Sequence, residues 1–245
     1  MLFKQREQMK RIGLIIWLAL LPTMIVLLLR PVSTNLTRFG TLVCLFALWS
    51  GALLLFWNVK IVRIACFVIA LLAGALLFLP GRTVNTMTLR QEYVDSLTQY
   101  EGTKYVWGGE NKRGIDCSGL IRRGLIDADF KRGLFTVNPY LVRAGGSLWF
   151  HDCSAKGLLN KDRKQTRDIV VAQSINELDH SAILPGDIAV TADGLHTLAY
   201  IGDQMWIEAD PNLGGVVKVK VPAPDNYYFN VPIHIMRWSQ FEHSN

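Results

Sequence analysis

The stretch Tyr105–Leu125, YVWGGENKRGIDCSGLIRRGL, decides how this chain is read. It sets Cys117 between Asp116 and Ser118, just after the pair Gly108 and Gly109. It then places Leu120, Ile121 and Leu125 at helical spacing, with Arg122 and Arg123 on the outward side. Glycines let the backbone turn sharply and aspartate is a good N-cap, so a helix is expected to start at Asp116 with Cys117 in its first turn. A sulfur there feels the positive end of the helix dipole, which favours the thiolate. The free N–H groups of that turn also point where an oxyanion would form on an attacked carbonyl. A buried structural cysteine needs none of this, so the residues point to a nucleophile.

A thiol nucleophile wants a base and a group to orient the base. His196 opens the apolar run HTLAYIG after the turn ADG and is the expected base. Twelve residues on, Glu208 in WIEAD is the expected orienting carboxylate. The two share a sheet face only if the intervening hairpin loop has an odd residue count, as with a bulge. Asp210 obeys the same parity and lies nearer His196 in such a hairpin, so it stands as the alternative third residue. A second pair, His151 and Cys153 in FHDCS, lacks the glycine loop and the helix start. A Cys117–Cys153 disulfide would remove the nucleophile, and is the structural alternative to it.

The net charge of +6 is unevenly spread. Residues 1–90 hold ten Lys/Arg against Glu7 alone, giving +9, and the remainder holds sixteen against nineteen acids, giving −3. The basicity belongs to an apolar N-terminal third, and a nucleic-acid groove has no compositional support. Three apolar runs fill that third, expected as spans over 12–29, 39–57 and 61–79 after a basic tail of residues 1–11. About eighteen helical residues cover roughly 27 Å, close to the hydrocarbon core of a bilayer. Pro22 is expected to kink the first span. Cys44 and Cys66 lie inside spans as small soft hydrophobes.

Lys4, Arg6, Lys10, Arg11, Lys60 and Arg63 lie on one side of these spans, against Arg30, Arg38 and Arg82 on the other. This bias favours a cytoplasmic N-terminus, and three spans then put the rest of the chain outside the cytoplasm.

Residues 81–92 are expected as a linker, followed by a catalytic domain over 93–240. Tyr93, Val94, Leu97 and Tyr100 give a first helix, and the helix from Asp116 a second. Residues 127–182 read as an insertion of helices and loops. From Leu184 onward, LPGDIAVT, LHTLAYIG, MWIEAD, GVVKVKVP and VPIHIMRW read as an antiparallel β meander. Helices before strands indicate an α+β domain with helices packed on one face of the sheet.

YVWGG, GIDCSGLI, PGDIAV and His196 opening HTLAYIGDQMWIEA, in this order, resemble the NlpC/P60 family of papain-like cysteine peptidases over about residues 93–238. The resemblance implies Cys117 as nucleophile, His196 as base, and Glu208 in a third slot that usually holds histidine. It implies an oxyanion role for Tyr105 and substrate binding by Asp116 and Ser118. The glutamate is similar to that of the related CHAP amidases. The implied reaction is hydrolysis of an amide in peptidoglycan stem peptides, commonly between γ-D-glutamate and the diamino acid, with no metal or organic cofactor. The implied partners are stem peptides and the lipid bilayer. Acyl chemistry on lipids or thioesters within the same superfamily, and a catalytically silent envelope-binding module, are the alternatives. A reporter active only outside the cytoplasm, fused after Asn245, is expected to be active. Activity of a cytoplasmic reporter alone would mean that the span count is wrong, and the peptidoglycan reading would fall with it.

Overall fold

The computed structural model describes residues 2–242, so His243 lies outside the described residues. The chain divides into two compact units, Met1–Leu79 and Pro80–Asn245.

The first unit holds three helices, α1 (Leu2–Leu29), α2 (Asn35–Leu55) and α3 (Lys60–Phe78). Each contains a stretch long and apolar enough to cross a membrane, with mean hydropathy of 2.7, 1.7 and 2.6. The first helix continues through Pro22 and includes most of the basic tail. A Thr34–Thr37 capping box starts α2. Indole N–H groups tie the helices together where their polar atoms would otherwise face hydrocarbon. Trp17 donates to the Leu48 carbonyl at 2.8 Å and Trp49 to the Cys66 carbonyl at 3.1 Å. Cys44 and Cys66 are buried between helices, while Ile15, Phe46 and Leu71 project outward, the arrangement that suits lipid as solvent.

The second unit opens with α4 (Thr86–Thr98), so helix begins well inside the stretch expected as linker. Asn85 caps it by accepting from the Thr88 N–H at 3.0 Å, and Leu89 is fully buried. A short hairpin of β1 (Glu110–Asn111) and β2 (Gly114–Ile115) leads into α5 (Cys117–Phe135). Then come α6 (Pro139–Phe150) and α7 (Ala155–Leu159).

Six strands form one antiparallel sheet: β3 (Thr166–Ala172), β4 (Ile188–Thr191), β5 (Thr197–Gly202), β6 (Met205–Asp210), β7 (Gly215–Lys220) and β8 (Ile233–Trp238). Their order is β3-β8-β4-β5-β6-β7. Strands β4 to β7 are the expected meander, and β8 returns to lie between β4 and β3. The strand β3 falls in the stretch read as helices and loops. It is an edge strand with Arg167 and Asp168 exposed, so its alternation is weak in the sequence. Residues 127–182 also supply Leu141, Leu148 and Leu158 to the main core.

Alternation divides the sheet's two faces. Ile188, Val190, Ala199, Ile207 and Ala209 pack with Tyr93, Leu97, Leu120 and Ile121 of α4 and α5. Ala189, Leu198, Tyr200 and Trp206 pack with Ile175, Phe229 and Ile233 on the other side. At the foot of the sheet, fully buried Asp187 gathers Arg237 through Nε at 2.7 Å and Nη2 at 2.6 Å, Arg90 of α4 at 3.0 Å, and the Leu184 N–H at 2.9 Å. Losing one member of a buried ion pair strands its partners, with typical costs of 3–5 kcal/mol. Asp187→Asn is expected to destabilise the domain by about 3 kcal/mol, the low end because both arginines sit at the rim. Thermal or urea unfolding of the detergent-solubilised chain measures this, and an unchanged midpoint would remove Asp187 from the α4-to-sheet attachment.

Candidate active site

The loop before α5 is closed by one carboxylate. Asp116 caps the helix by accepting from the Gly119 N–H at 2.6 Å through Oδ1, and accepts from the Gly108 N–H at 2.7 Å through Oδ2. Its own N–H donates to the Gly109 carbonyl at 3.1 Å. The loop presses so closely on the helix that a Cβ at Gly119 would lie 2.1 Å from the Gly109 oxygen. Only glycine fits there. Asp116 and Ser118, expected at the substrate, are bonded to each other, Ser118 Oγ donating to Asp116 Oδ1 at 3.1 Å.

Cys117 is the first residue of α5 and is 6% exposed. Its thiol points to the Leu195 carbonyl at 4.0 Å, next to His196 in the chain. All four cysteines are free, so the disulfide alternative falls. Burial, followed by the Asp116 carboxylate, pushes the Cys117 thiol up to about 12, while the N–H groups of Thr197, Ser118 and Cys117 itself pull it down. The pull of the helix start expected from the sequence is there, and burial opposes it. The backbone donors are present, but desolvation outweighs them in a group this enclosed. The half-buried Tyr105 phenol is raised by burial and then by Cys117, Asp116, Tyr228 and Asp210, which places it among those groups.

The hairpin between β5 and β6 settles the parity. Its tip is Asp203–Gln204, with φ of 51° and 58°, the left-handed pair of a type I′ turn. A bulge between Tyr200 and Gly202 adds the odd residue. Leu198 therefore pairs with Glu208, and continuing that register sets His196 opposite Asp210, with Glu208 on the diagonal. The diagonal carboxylate makes the bond. Glu208 Oε2 lies 2.8 Å from His196 Nε2, and both residues are buried. A carboxylate only accepts, so Nε2 donates to Glu208 and Nδ1 is left outside that bond. Asp210 instead accepts from the Asn212 N–H at 2.6 Å and holds the following turn.

Two residues of this centre were missed in the sequence. Asn226 Nδ2 donates to Glu208 Oε1 at 2.7 Å, so both carboxylate oxygens have donors. The Tyr228 ring lies flat on the His196 ring, centroids 3.6 Å apart and planes 14° from parallel. Both come from the irregular segment between β7 and β8, where no periodicity marks them. At the other end of β4, Thr191 Oγ1 accepts from the His196 N–H at 3.0 Å and donates to Asp193 at 2.6 Å, fixing the turn before His196.

Beside Cys117 lies a cavity of about 500 Å³ lined by Trp107, Asp116, Ser118, Arg122 and Leu195, among others. Arg122 was expected on the outward side of α5. It is buried instead, because it pairs with Glu110 of β1 at 2.5 Å and with Asp152. The second pair, His151 and Cys153, makes separate contacts: His151 Nδ1 meets the Ser147 carbonyl at 3.0 Å and the Cys153 thiol the Ser154 carbonyl at 3.7 Å. Among the described residues, no three His, Cys, Asp or Glu side chains gather as a metal site would require.

Only thiolate reacts with iodoacetamide. With the thiol raised to about 12, alkylation of Cys117 is expected to climb with pH through the neutral and alkaline range. Mass spectrometry of the alkylated peptide checks this, and a plateau reached by about pH 8 would mean a preformed thiolate.

The family model described as NlpC/P60 family matches residues 102–235, more than half of the chain. No curated protein matches. Among solved structures, NlpC1 from Trichomonas vaginalis is 20% identical over 61% of this chain and 43% of its own, with a TM-score of 0.39. The peptidoglycan hydrolase RipB from Mycobacterium tuberculosis is 17% identical over 61% of this chain and 65% of its own, with a TM-score of 0.38. An NlpC/P60 family protein from Bacillus cereus is 15% identical over 62% and 40%, with a TM-score of 0.37. The chain thus spans less than half the length of the Trichomonas and Bacillus proteins. On the family match across residues 102–235, this chain belongs to the NlpC/P60 family.

Proposed function

We propose that the chain is a membrane-anchored cysteine peptidase that hydrolyses amide bonds in peptidoglycan stem peptides, of the γ-D-glutamyl-diamino acid type, outside the cytoplasm. The observation that carries this reading is the buried Glu208–His196 pair, 2.8 Å long, in which His196 directly follows Leu195, whose carbonyl faces Cys117 Sγ, and Glu208 comes from β6. A base so enclosed and so firmly oriented serves proton transfer better than stability, since burying an ion pair is close to neutral for folding.

Burial opposes ionisation of the Cys117 thiol, and in this reading His196 removes its proton by general-base transfer. Cys117 Sγ–H gives its proton to His196 Nδ1 as sulfur attacks the carbonyl carbon. Glu208 stabilises the imidazolium through Nε2. The tetrahedral oxyanion takes its donors from the first turn of α5 and from Tyr105. Imidazolium then protonates the leaving amine as the C–N bond breaks, leaving a thioester. Water, deprotonated by the same imidazole, cleaves the thioester and restores the thiol. Asp116 and Ser118 face the substrate from the cavity wall. The three apolar helices hold this chemistry near the membrane, consistent with the charge bias across them.

Digestion of purified muropeptides, read by mass spectrometry, tests the reading. Cys117→Ala and His196→Ala should abolish turnover. Glu208→Gln keeps a hydrogen-bonding group but loses the charge, and orienting carboxylates of triads can matter by about 10⁴-fold in rate. Asn226→Ala should lower kcat by about 10-fold to 100-fold with little change in KM, since it frees the Glu208 carboxylate to turn. Asp210→Asn is the control. If it cripples the enzyme while Glu208→Gln leaves it active, the nearer carboxylate carries the role.

A further inference from the structure

The turn between α5 and α6 is unused by the catalytic reading. Leu134, Phe135 and Val137 stand 64%, 82% and 66% exposed within four consecutive residues. Single exposed apolar residues are ordinary, but a run of them at one tip is not. Val137 has φ of 49°, a conformation strained for a β-branched side chain. The turn therefore holds apolar groups outward against its own backbone preference.

The same turn anchors the start of the domain. Buried Asn138 accepts from the Arg82 N–H and donates to the Arg82 carbonyl, both at 3.0 Å, and Arg82 Nη1 donates to the Thr136 carbonyl at 3.3 Å. Only Leu79, Pro80 and Gly81 separate Arg82 from Phe78, the last residue of α3. Four residue steps reach at most about 14 Å. The headgroup layer on each side of the hydrocarbon is itself roughly 5–7 Å deep. A turn tied so closely to the end of a spanning helix lies within reach of that layer. Residues 131–143 also carry Arg132 and Arg143 and no acid, while Lys131 is paired with Glu92 of α4; the basic balance of the segment suits anionic headgroups.

We propose that Leu134, Phe135 and Val137 insert into the headgroup–acyl boundary of the bilayer, docking the catalytic domain on lipid; this rests on the membrane-anchored reading above. Helix α5 then acts as a ruler. It runs nineteen residues from Cys117 to Phe135, about 28 Å at 1.5 Å per residue. The nucleophile sits at one end and the lipid contact at the other, so Cys117 stands no more than about 30 Å above the boundary. Only wall strands beside the membrane come within its range.

Nitroxide labels on three single substitutions of the full chain test this in vesicles of phosphatidylethanolamine and phosphatidylglycerol. Phe135→Cys reports the tip, Lys112→Cys an exposed site of the same domain, and Leu71→Cys the face of α3. All three are made in a Cys117→Ser background, because Cys117 lines the cavity, and the remaining Cys44, Cys66 and Cys153 are buried. Collision with oxygen and with a water-soluble nickel chelate is measured by power saturation. Both Phe135→Cys and Leu71→Cys should favour oxygen over nickel by several fold, and Lys112→Cys should show the reverse. A nickel-accessible Phe135→Cys beside an oxygen-favouring Leu71→Cys would overturn the docking and leave the anchoring intact. Protection of Phe135→Cys from both reagents would mean a protein contact, which also overturns it. A nickel-accessible Leu71→Cys would bring down the anchoring reading, and the docking with it.

Discussion

The contact between the Gly109 carbonyl and Gly119 is the constraint on which the rest of the centre depends. Where a Cβ would come within 2.1 Å of an oxygen, only a glycine lets the loop lie against the helix. Asp116 then locks the two together, capping the helix with one oxygen and holding Gly108 with the other. Both functions come from a single carboxylate two bonds from the backbone that carries Cys117. Its negative charge is therefore unavoidable beside the sulfur, and it is the second cause that raises the thiol after burial. The carboxylate that fixes the loop around Cys117 thus also opposes ionisation of its thiol.

His196, the proposed base, is held by several contacts at once. In the proposed reaction it takes a proton from the thiol, and such an acceptor must be ready without rearrangement. Glu208 bonds His196 with one oxygen and Asn226 with the other, while Tyr228 covers the ring face. Each contact removes a freedom the imidazole would otherwise have. The enclosure also excludes water from the carboxylate, which strengthens its hold on a forming imidazolium.

The sequence made the local elements around Cys117 more legible than the contacts that reach the centre from a distance. Cys117, Asp116 and the glycines declare themselves because turn, cap and helix start are local, each resting on neighbours in the chain. The spans are legible for a similar reason, since length and apolarity are properties of one segment. Asn226 and Tyr228 are not legible, because they reach His196 from about thirty residues away through a segment with no period. Arg122 misleads for the opposite reason. Helical spacing puts it on the outward side of α5, but Glu110 and Asp152 arrive from other elements and turn that side into interior. The edge strand β3 and the first turns of α4 are hidden by polar residues that serve solvent or caps rather than the core.

The choice between Glu208 and Asp210 shows where local reasoning stops. Parity narrows the field to these two, because both lie on the face His196 shares. It does not say which one bonds, and simple proximity along the register favours Asp210, directly across from His196. Two things decide otherwise. The turn after β6 claims Asp210, whose Oδ1 takes the Asn212 N–H at 2.6 Å. Asn226 draws Glu208 into place from the far side, by a bond of 2.7 Å. A carboxylate with a donor waiting on each oxygen is held against rotation, whereas Asp210 is oriented by the turn through Oδ1. The longer diagonal reach is therefore the one that burial can sustain.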